Sequence, residues 1–182
     1  QEDATTIPAH TLYDIVRKLP EGAQIEIDDA AEDGRVVVRA GRSRFTLGSL
    51  PVEDFPVMAE GELAHHFSLS AADLRRLIDK TGFAISTEET RYYLNGIYLH
   101  ATSDEGPACL RAVATDGHRL ARVDTALPAG AADIPGIIVP RKTVGEVRKL
   151  IEESEGEVMI GLSDSKIRFA LDGAILTSKL ID

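Results

Sequence analysis

Ile7-Pro8 followed by Thr11-Leu12-x-Asp14-Ile15-x-Arg17-Lys18 recurs 132 residues later as Val139-Pro140 followed by Thr143-Val144-x-Glu146-Val147-x-Lys149. The match holds in residue type and in register, which marks one supersecondary unit used more than once. A weaker third copy begins mid-chain, where Phe67-Ser68-Leu69 leads into Ser70-Ala71-Ala72-Asp73-Leu74. In each copy a short strand runs into a predicted capping box: Thr11 to Asp14, Ser70 to Asp73 and Thr143 to Glu146. There a hydroxyl takes the backbone N–H three residues on and the acidic side chain reaches back. Cap-to-cap spacings on this alignment are 59 and then 73 residues.

Behind each box the apolar residues fall at helical spacing: Leu12, Ile15, Val16 and Leu19; Leu74, Leu77 and Ile78; Val144, Val147, Leu150 and Ile151. Pro20 with Gly22, Gly82, and Gly156 are the expected stops. Beyond the helices the period falls to two, as at Ile25 and Ile27, at Val36 to Val38, and at Phe45 and Leu47. Asp33-Gly34, Asp116-Gly117 and Asp172-Gly173 separate such runs and predict type I′ hairpins, in which both central residues take positive φ. The chain therefore reads as α+β, with repeated β-α-β-β-β units whose paired helices pack on antiparallel sheets. Pro51, Pro56 and Gly61 mark one joint; Pro128, Gly130, Pro135 and Gly136 mark another. Units two and three are expected to pair as one domain, leaving unit one without a partner.

Composition bounds the function. The 182 residues are 43% hydrophobic and 27% charged, which excludes disorder, and the length suits one domain or two small ones. No apolar run reaches a membrane span and no signal segment opens the chain, so a cytosolic protein is expected. The single Cys109 excludes an internal disulfide and a Cys-pair zinc site. The chain opens at Gln1 without Met and stops at Asp182 after a strand-like run, so both ends are expected to be cut.

The whole-chain charge of −10 argues against nucleic acid until it is resolved along the sequence. The three helical segments, residues 10–19, 70–80 and 141–151, carry +1, +1 and +3, leaving −15 for everything else. A basic helical layer against acidic strands and loops is the expectation. Such a layer touches phosphate without gripping bases, and no aromatic residue interleaves with its charges to stack on single strands.

Longer motifs then speak together. Arg91-Tyr92-Tyr93-Leu94-Asn95-Gly96, the run Ala112-Val113-Ala114-Thr115-Asp116-Gly117-His118-Arg119-Leu120-Ala121, Val139-Pro140-Arg141-Lys142 and Thr177-Ser178-Lys179-Leu180 resemble, in order and spacing, the bacterial sliding-clamp family, the beta subunits of DNA polymerase III. Gly41-Arg42-Ser43-Arg44-Phe45 and Asp54-Phe55-Pro56 resemble that family's first domain. The resemblance implies a DNA-clamp fold with three similar domains per chain and two chains closed head to tail around duplex DNA. Residues 1–61 would be the second half of domain one and residues 62–182 domain two, with its C-terminal tail and domain three lying outside the chain.

It further implies a non-catalytic processivity factor that tethers the polymerase without a cofactor. Its partners would be duplex DNA, without sequence preference, and short peptides of the replicative polymerase alpha subunit, the clamp loader and repair proteins. A homodimer ring is implied at full length, with no membrane contact. His10, Arg75, Arg76, Arg141, Lys142, Arg148 and Lys149 are the candidates for the DNA-facing lining. The resemblance adds Tyr92 and Tyr93, preceded by the loop Thr87-Glu88-Glu89-Thr90, and a peptide pocket of Arg91, Leu94, Thr115, Gly117, His118, Arg119 and Leu120. Leu94 and Leu120 would form its apolar floor.

Two other readings compete. Asp116-x-His118-Arg119 could be a hydrolase site with His118 as base. Yet Asp116-Gly117 already serves a hairpin, and no motif supplies a nucleophile. Alternatively, the acidic chain is a protein-interaction module that never meets DNA. Adjacent His65 and His66 on a strand face opposite ways and make a poor metal site, and no phosphate-binding loop exists.

Overall fold

The computed structural model describes residues 4–31, 34–58, 61–104 and 106–182. The chain forms two compact bodies, Gln1–Ala59 and Glu60–Asp182. Among the described residues no helix is long and apolar enough to cross a membrane.

The first body holds α1 (Ala9–Val16), β1 (Glu26–Ala31), β2 (Arg35–Ala40) and β3 (Ser43–Gly48), the strands forming one antiparallel sheet in the order β1-β2-β3. Val36, Val37 and Val38 of the central strand are buried, whereas α1 buries no residue. Leu12 and Ile15 are only half-buried and Tyr13 and Val16 are exposed, so the apolar stripe read from sequence lacks a full covering here.

The second body is built from β4 (His65–Ser70), α2 (Ala71–Thr81), β5 (Gly96–Thr102), β6 (Cys109–Thr115), β7 (Leu120–Ala126), β8 (Ile137–Pro140), α3 (Arg141–Leu150), β9 (Glu157–Leu162), β10 (Lys166–Leu171) and β11 (Ala174–Lys179). Its sheets run β11-β10-β9-β4 and β7-β6-β5-β8. Each unit's opening strand therefore leaves its own unit: β4 pairs with β9, and β8 pairs with β5. This reciprocal exchange shows why residues 4–8 form no strand, contrary to the sequence reading. An opening strand needs a neighbouring unit's sheet, and among the described residues the first body has one sheet, of its own unit.

Helices α2 and α3 lie against each other over a shared core. Leu74, Leu77 and Ile78 from α2 meet Val144, Val147 and Ile151, and Ile151 is 0% exposed. Burial of a side chain of this size contributes about 1.5–3 kcal/mol, so the helices are held by their apolar stripes rather than by helix propensity.

Of the three capping boxes only the middle one forms. Ser70 Oγ accepts the Asp73 N–H at 3.0 Å and donates to Asp73 Oδ2 at 2.8 Å. Helices α1 and α3 start three residues earlier than expected, with Pro8 and Pro140 as N-caps. Proline's fixed φ suits the extended N-cap conformation, observed at −59° and −60°. Pro8 O already accepts the Leu12 N–H at 3.0 Å. Thr143, placed inside the helix, is buried and bonds Ser178 Oγ at 2.6 Å instead. The caps are thus Pro8, Ser70 and Pro140, spaced 62 and 70 residues rather than 59 and 73.

The hairpins divide as well. Asp172 and Gly173 sit at φ 45° and 78° between directly paired strands, the expected two-residue turn. Residues 116–119 make a four-residue loop in which Gly117 alone has positive φ, because the Asp116 side chain bonds the loop backbone. Asp33 lies outside the described residues.

Candidate DNA-facing helix layer and peptide site

The basic side chains of α2 and α3 fall into distinct roles. Arg75 Nη2 donates to Ile151 O at 2.6 Å and to Ser154 O at 3.0 Å, satisfying carbonyls left open where α3 ends. Its Nη2 joins the two helices, so Arg75 has a structural role besides the expected place in the lining. Arg148 Nε bonds Asp79 Oδ1 at 2.6 Å across the same seam. Lys149 pairs with Glu146 at 3.1 Å, and Arg76 reaches Asp124 O at 3.2 Å and Asp73 at 3.6 Å. Arg141 and Lys142 are exposed and carry no ion pair among the described residues. His10 is exposed on α1 in the other body.

Tyr92 and Tyr93 are exposed on a 3-10 segment, Glu89–Leu94, with their rings edge to face at 5.8 Å. The Arg141 N–H donates to Asn95 O at 2.9 Å. That bond brings the end of the tyrosine segment against the start of α3, where Arg141 and Lys142 stand.

In the second body the expected acidic strands are not there, although β1 of the first body carries Glu26, Asp28 and Asp29. On the strands of the second body Arg111, Arg122, Lys166, Arg168 and Lys179 outnumber Asp124 and Glu157, a net +3. The helices α2 and α3 carry a net +4, so the negative charge of this body lies in its loops and turns. Long basic side chains cover outward-facing strand positions with their methylene stems, whereas Asp and Glu are favoured where they bond turn backbone. Asp124 illustrates the strand case: it accepts Arg111 Nε at 2.8 Å and Arg122 Nη2 at 3.1 Å. Those arginines, Arg111 foremost, hold its carboxyl down at about 2.

The second candidate site joins the Glu89–Leu94 segment to the loop between β6 and β7. Arg91 lies across Gly117 so closely that a β-carbon there would sit 2.7 Å from Nη1, at a φ of +88°. The positive φ favours glycine, whereas the contact is with the end of a flexible side chain that can shift. Within the loop, Asp116 Oδ1 accepts the backbone N–H groups of His118 and Arg119, each at 3.0 Å, and Oδ2 accepts Arg119 Nε at 3.0 Å. These bonds, His118 N–H foremost, lower the Asp116 carboxyl to about 2. Thr115 Oγ1 accepts from Gly117 N at 3.1 Å and donates to Arg119 O at 2.7 Å. This side-chain network closes the four-residue turn in place of a type I′ hairpin.

The structure thus brings Arg91, Thr115, Gly117, His118 and Arg119 to one surface. Leu94 is half-buried and Leu120 is 66% exposed at the start of β7, so Leu120 is an open apolar step rather than a floor. Two residues were missed by sequence reasoning. Phe83, 61% exposed, has the Arg119 guanidinium 5.9 Å from its ring centre. Its signal was an aromatic placed just outside the apolar register of Leu74, Leu77, Ile78 and Thr81. The other is Glu88, whose carboxylate takes Arg91 Nε at 2.9 Å and Nη2 at 2.6 Å.

Comparison with known proteins decides the family. Residues 1–59 match the model described as DNA polymerase III beta subunit, N-terminal domain, and residues 68–182 match that of its central domain. The chain belongs to the DNA polymerase III beta-subunit family. A beta sliding clamp of Caulobacter vibrioides (strain NA1000 / CB15N) is 55% identical over 177 residues, covering 97% of this chain and 48% of the relative. A Caulobacter crescentus beta sliding clamp structure superposes with a TM-score of 0.94 at 54% identity, over 98% of this chain and 47% of that one. A sliding clamp of Bartonella birtlesii, solved bound to griselimycin, superposes at 0.93 with 51% identity, over 100% and 49%. The chain spans about half the length of the curated relatives it matches.

This family is a non-catalytic part of the polymerase and a sliding clamp in DNA replication. The loop geometry accords with that: Asp116 bonds the backbone of His118 and not its imidazole, so the two do not form a base-orienting pair. Among the described residues no three His, Cys, Asp or Glu side chains gather to hold a metal ion. His65 is half-buried and His66 exposed, as neighbours on a strand should be.

Proposed function

We propose that this chain works within a ring that encircles duplex DNA, tethers the replicative polymerase in the cytosol, and docks partner proteins through short linear peptides. Residues 1–61 supply the second half of the first clamp domain and residues 62–182 the middle domain, with two full-length chains closing the ring. The observation that carries this reading is the outer face of α2 and α3. It is net positive, the two helices contain no aromatic residue, and among the described residues Arg141 and Lys142 have no ion-pair partner. Cations spread along helices attract phosphate without a register, so the ring can travel. Tyr92 and Tyr93 stand beside this face at the start of α3.

Docking is assigned to the surface of Arg91, Leu94, Thr115, Gly117, His118, Arg119 and Leu120, extended by Phe83. Open apolar steps beside exposed backbone suit an extended peptide with aliphatic or aromatic anchors. The clamp loader, the polymerase alpha subunit and repair proteins are the partners expected to carry such peptides. Fluorescence anisotropy with a labelled peptide bearing Leu and Phe anchors tests the assignment. Leu120→Ala is expected to weaken binding about tenfold, the ordinary loss when a central apolar anchor goes. Equal affinity in wild type and variant would remove this surface from the docking account.

A further inference from the structure

We propose that the outward face of the β11-β10-β9-β4 sheet is a second docking surface, one that takes a short acidic segment of a partner protein carrying an aliphatic or aromatic anchor. The side chains of this face fall into two rows across the four strands. Ser68, Met159, Ala170 and Ile175 are register partners, and beside them run His66, Gly161, Arg168 and Thr177. Met159 and Ile175 are each 65% exposed. The residues alternating with these rows, Val158, Ile160, Phe169 and Leu171, enter the core shared with α2 and α3, so the face looks away from the helix layer assigned to DNA. Small Ala170 leaves the floor low between Met159 and Ile175, and the result is a groove of about 560 Å³ bordered also by Pro128 and Ala129. A β-carbon at Gly161 would sit 2.8 Å from Leu63 Cδ1 and 3.2 Å from the His66 ring, so those two side chains lie over Gly161 as a wall of the groove.

Charge selects the occupant. Arg168 lines the groove, and Lys166 and Lys179 face each other across β10 and β11 at the same end of the sheet. Among the outward strand positions only Glu157 is acidic, and it lies at the other end of β9. The Arg168 guanidinium meets a hydroxyl, Thr177 Oγ1 at 3.5 Å, and no carboxylate among the described residues. A carboxylate set beside an apolar anchor therefore reaches Arg168 while the anchor covers Met159 and Ile175. The 182 residues carry −10, so an acidic segment is repelled at a distance. The anchor must supply the affinity that the cations then direct, and a polar-rimmed apolar patch is suited to that. Met159 and Ile175 are aliphatic and offer bases no ring to stack on, which favours a peptide over single-stranded nucleic acid.

The test uses the full-length protein with Leu120→Ala in place, which separates this surface from the peptide site described above. Two fluorescein-labelled peptides share a Phe anchor, followed in one by Asp-Glu-Asp and in the other by Asn-Gln-Asn. Anisotropy is expected to show the acidic peptide bound, and Ile175→Ser should weaken both peptides about tenfold, the loss of a central apolar contact. Arg168→Gln should weaken the acidic peptide alone, by about threefold, the size of an exposed ion-pair effect. No binding of the acidic peptide, or an affinity that neither Ile175→Ser nor Arg168→Gln changes, would overturn the proposal and leave the Leu120 site as it stands. A labelled poly-thymidine strand whose binding Arg168→Gln weakens and Ile175→Ser leaves unchanged, with the acidic peptide unbound, would overturn it in favour of nucleic acid.

Discussion

Replacing Gly96 by alanine should destabilise the second body by about 3 kcal/mol or more, at the upper end of what overpacking costs, because here the obstacle is backbone. A β-carbon at residue 96 would lie 2.3 Å from Val139 O, 2.8 Å from Ile138 Cγ2 and 2.9 Å from the Val139 carbonyl carbon. Those atoms belong to β8, paired with β5 in the register Gly96 with Pro140 and Ile97 with Val139. Strand β8 cannot step aside, because it runs straight into α3 and the Arg141 N–H is held by Asn95 O. Relief would mean peeling β8 from β5, undoing the strand exchange and loosening α3. Urea unfolding followed by circular dichroism measures the loss. Gly145→Ala is the control: the site lies inside α3 with nothing within 4 Å, and alanine there should add about 1 kcal/mol. A loss below about 1 kcal/mol for Gly96→Ala, the low end of overpacking costs, would contradict the close approach of β5 and β8.

The double reversal Arg141→Glu with Lys142→Glu should lower affinity for duplex DNA about thirtyfold at low salt. The slope of log affinity against log salt should become shallower by about two, one for each phosphate that is no longer neutralised. These two are chosen because among the described residues neither holds an ion pair that the change would break; reversing Arg75 would instead open the end of α3. The comparison is Arg168→Glu with Lys179→Glu, the same change in net charge made on β10 and β11. If phosphate meets the helices, the strand variant should lose no more than about threefold, the share of a diffuse field screened within roughly 10 Å. Equal losses would mean that DNA responds to total charge and that the helix layer has no special part. The comparison matters because the sheets carry a net positive charge of their own, so an acidic outer layer cannot explain orientation.

Much of this architecture was legible because it is local. A stripe at 3.6-residue spacing, a period of two, and Asp172-Gly173 between paired strands each state their structure within a few residues. Errors arose where two local signals competed. At Thr11 and Thr143 the capping-box pattern was outranked by Pro8 and Pro140 three residues earlier, whose carbonyls open the helices. That choice shifted the alignment of the repeat by one turn. At Asp116-Gly117 the side chain of Asp116 formed a wider turn than the dipeptide alone implies.

Strand exchange between units left no trace in periodicity, since β4 meets β9 across nearly a hundred residues of sequence. Summing charge by helix also blurred function. Arg75 counted the same as Lys142, although one guanidinium caps α3 and the other side chain stands exposed. Glu88 and Phe83 escaped because each matters only through a partner, Arg91 and Arg119, that the fold supplies.

The central claim is topological, and retention on nicked circular DNA tests it most directly. The full-length protein, loaded by the clamp loader, is compared on the circle and on the same DNA after a single cut. Protein should remain on the circle and run off the linear form, and the Arg141→Glu, Lys142→Glu variant should load less yet keep the difference. Equal retention on both forms would contradict encirclement.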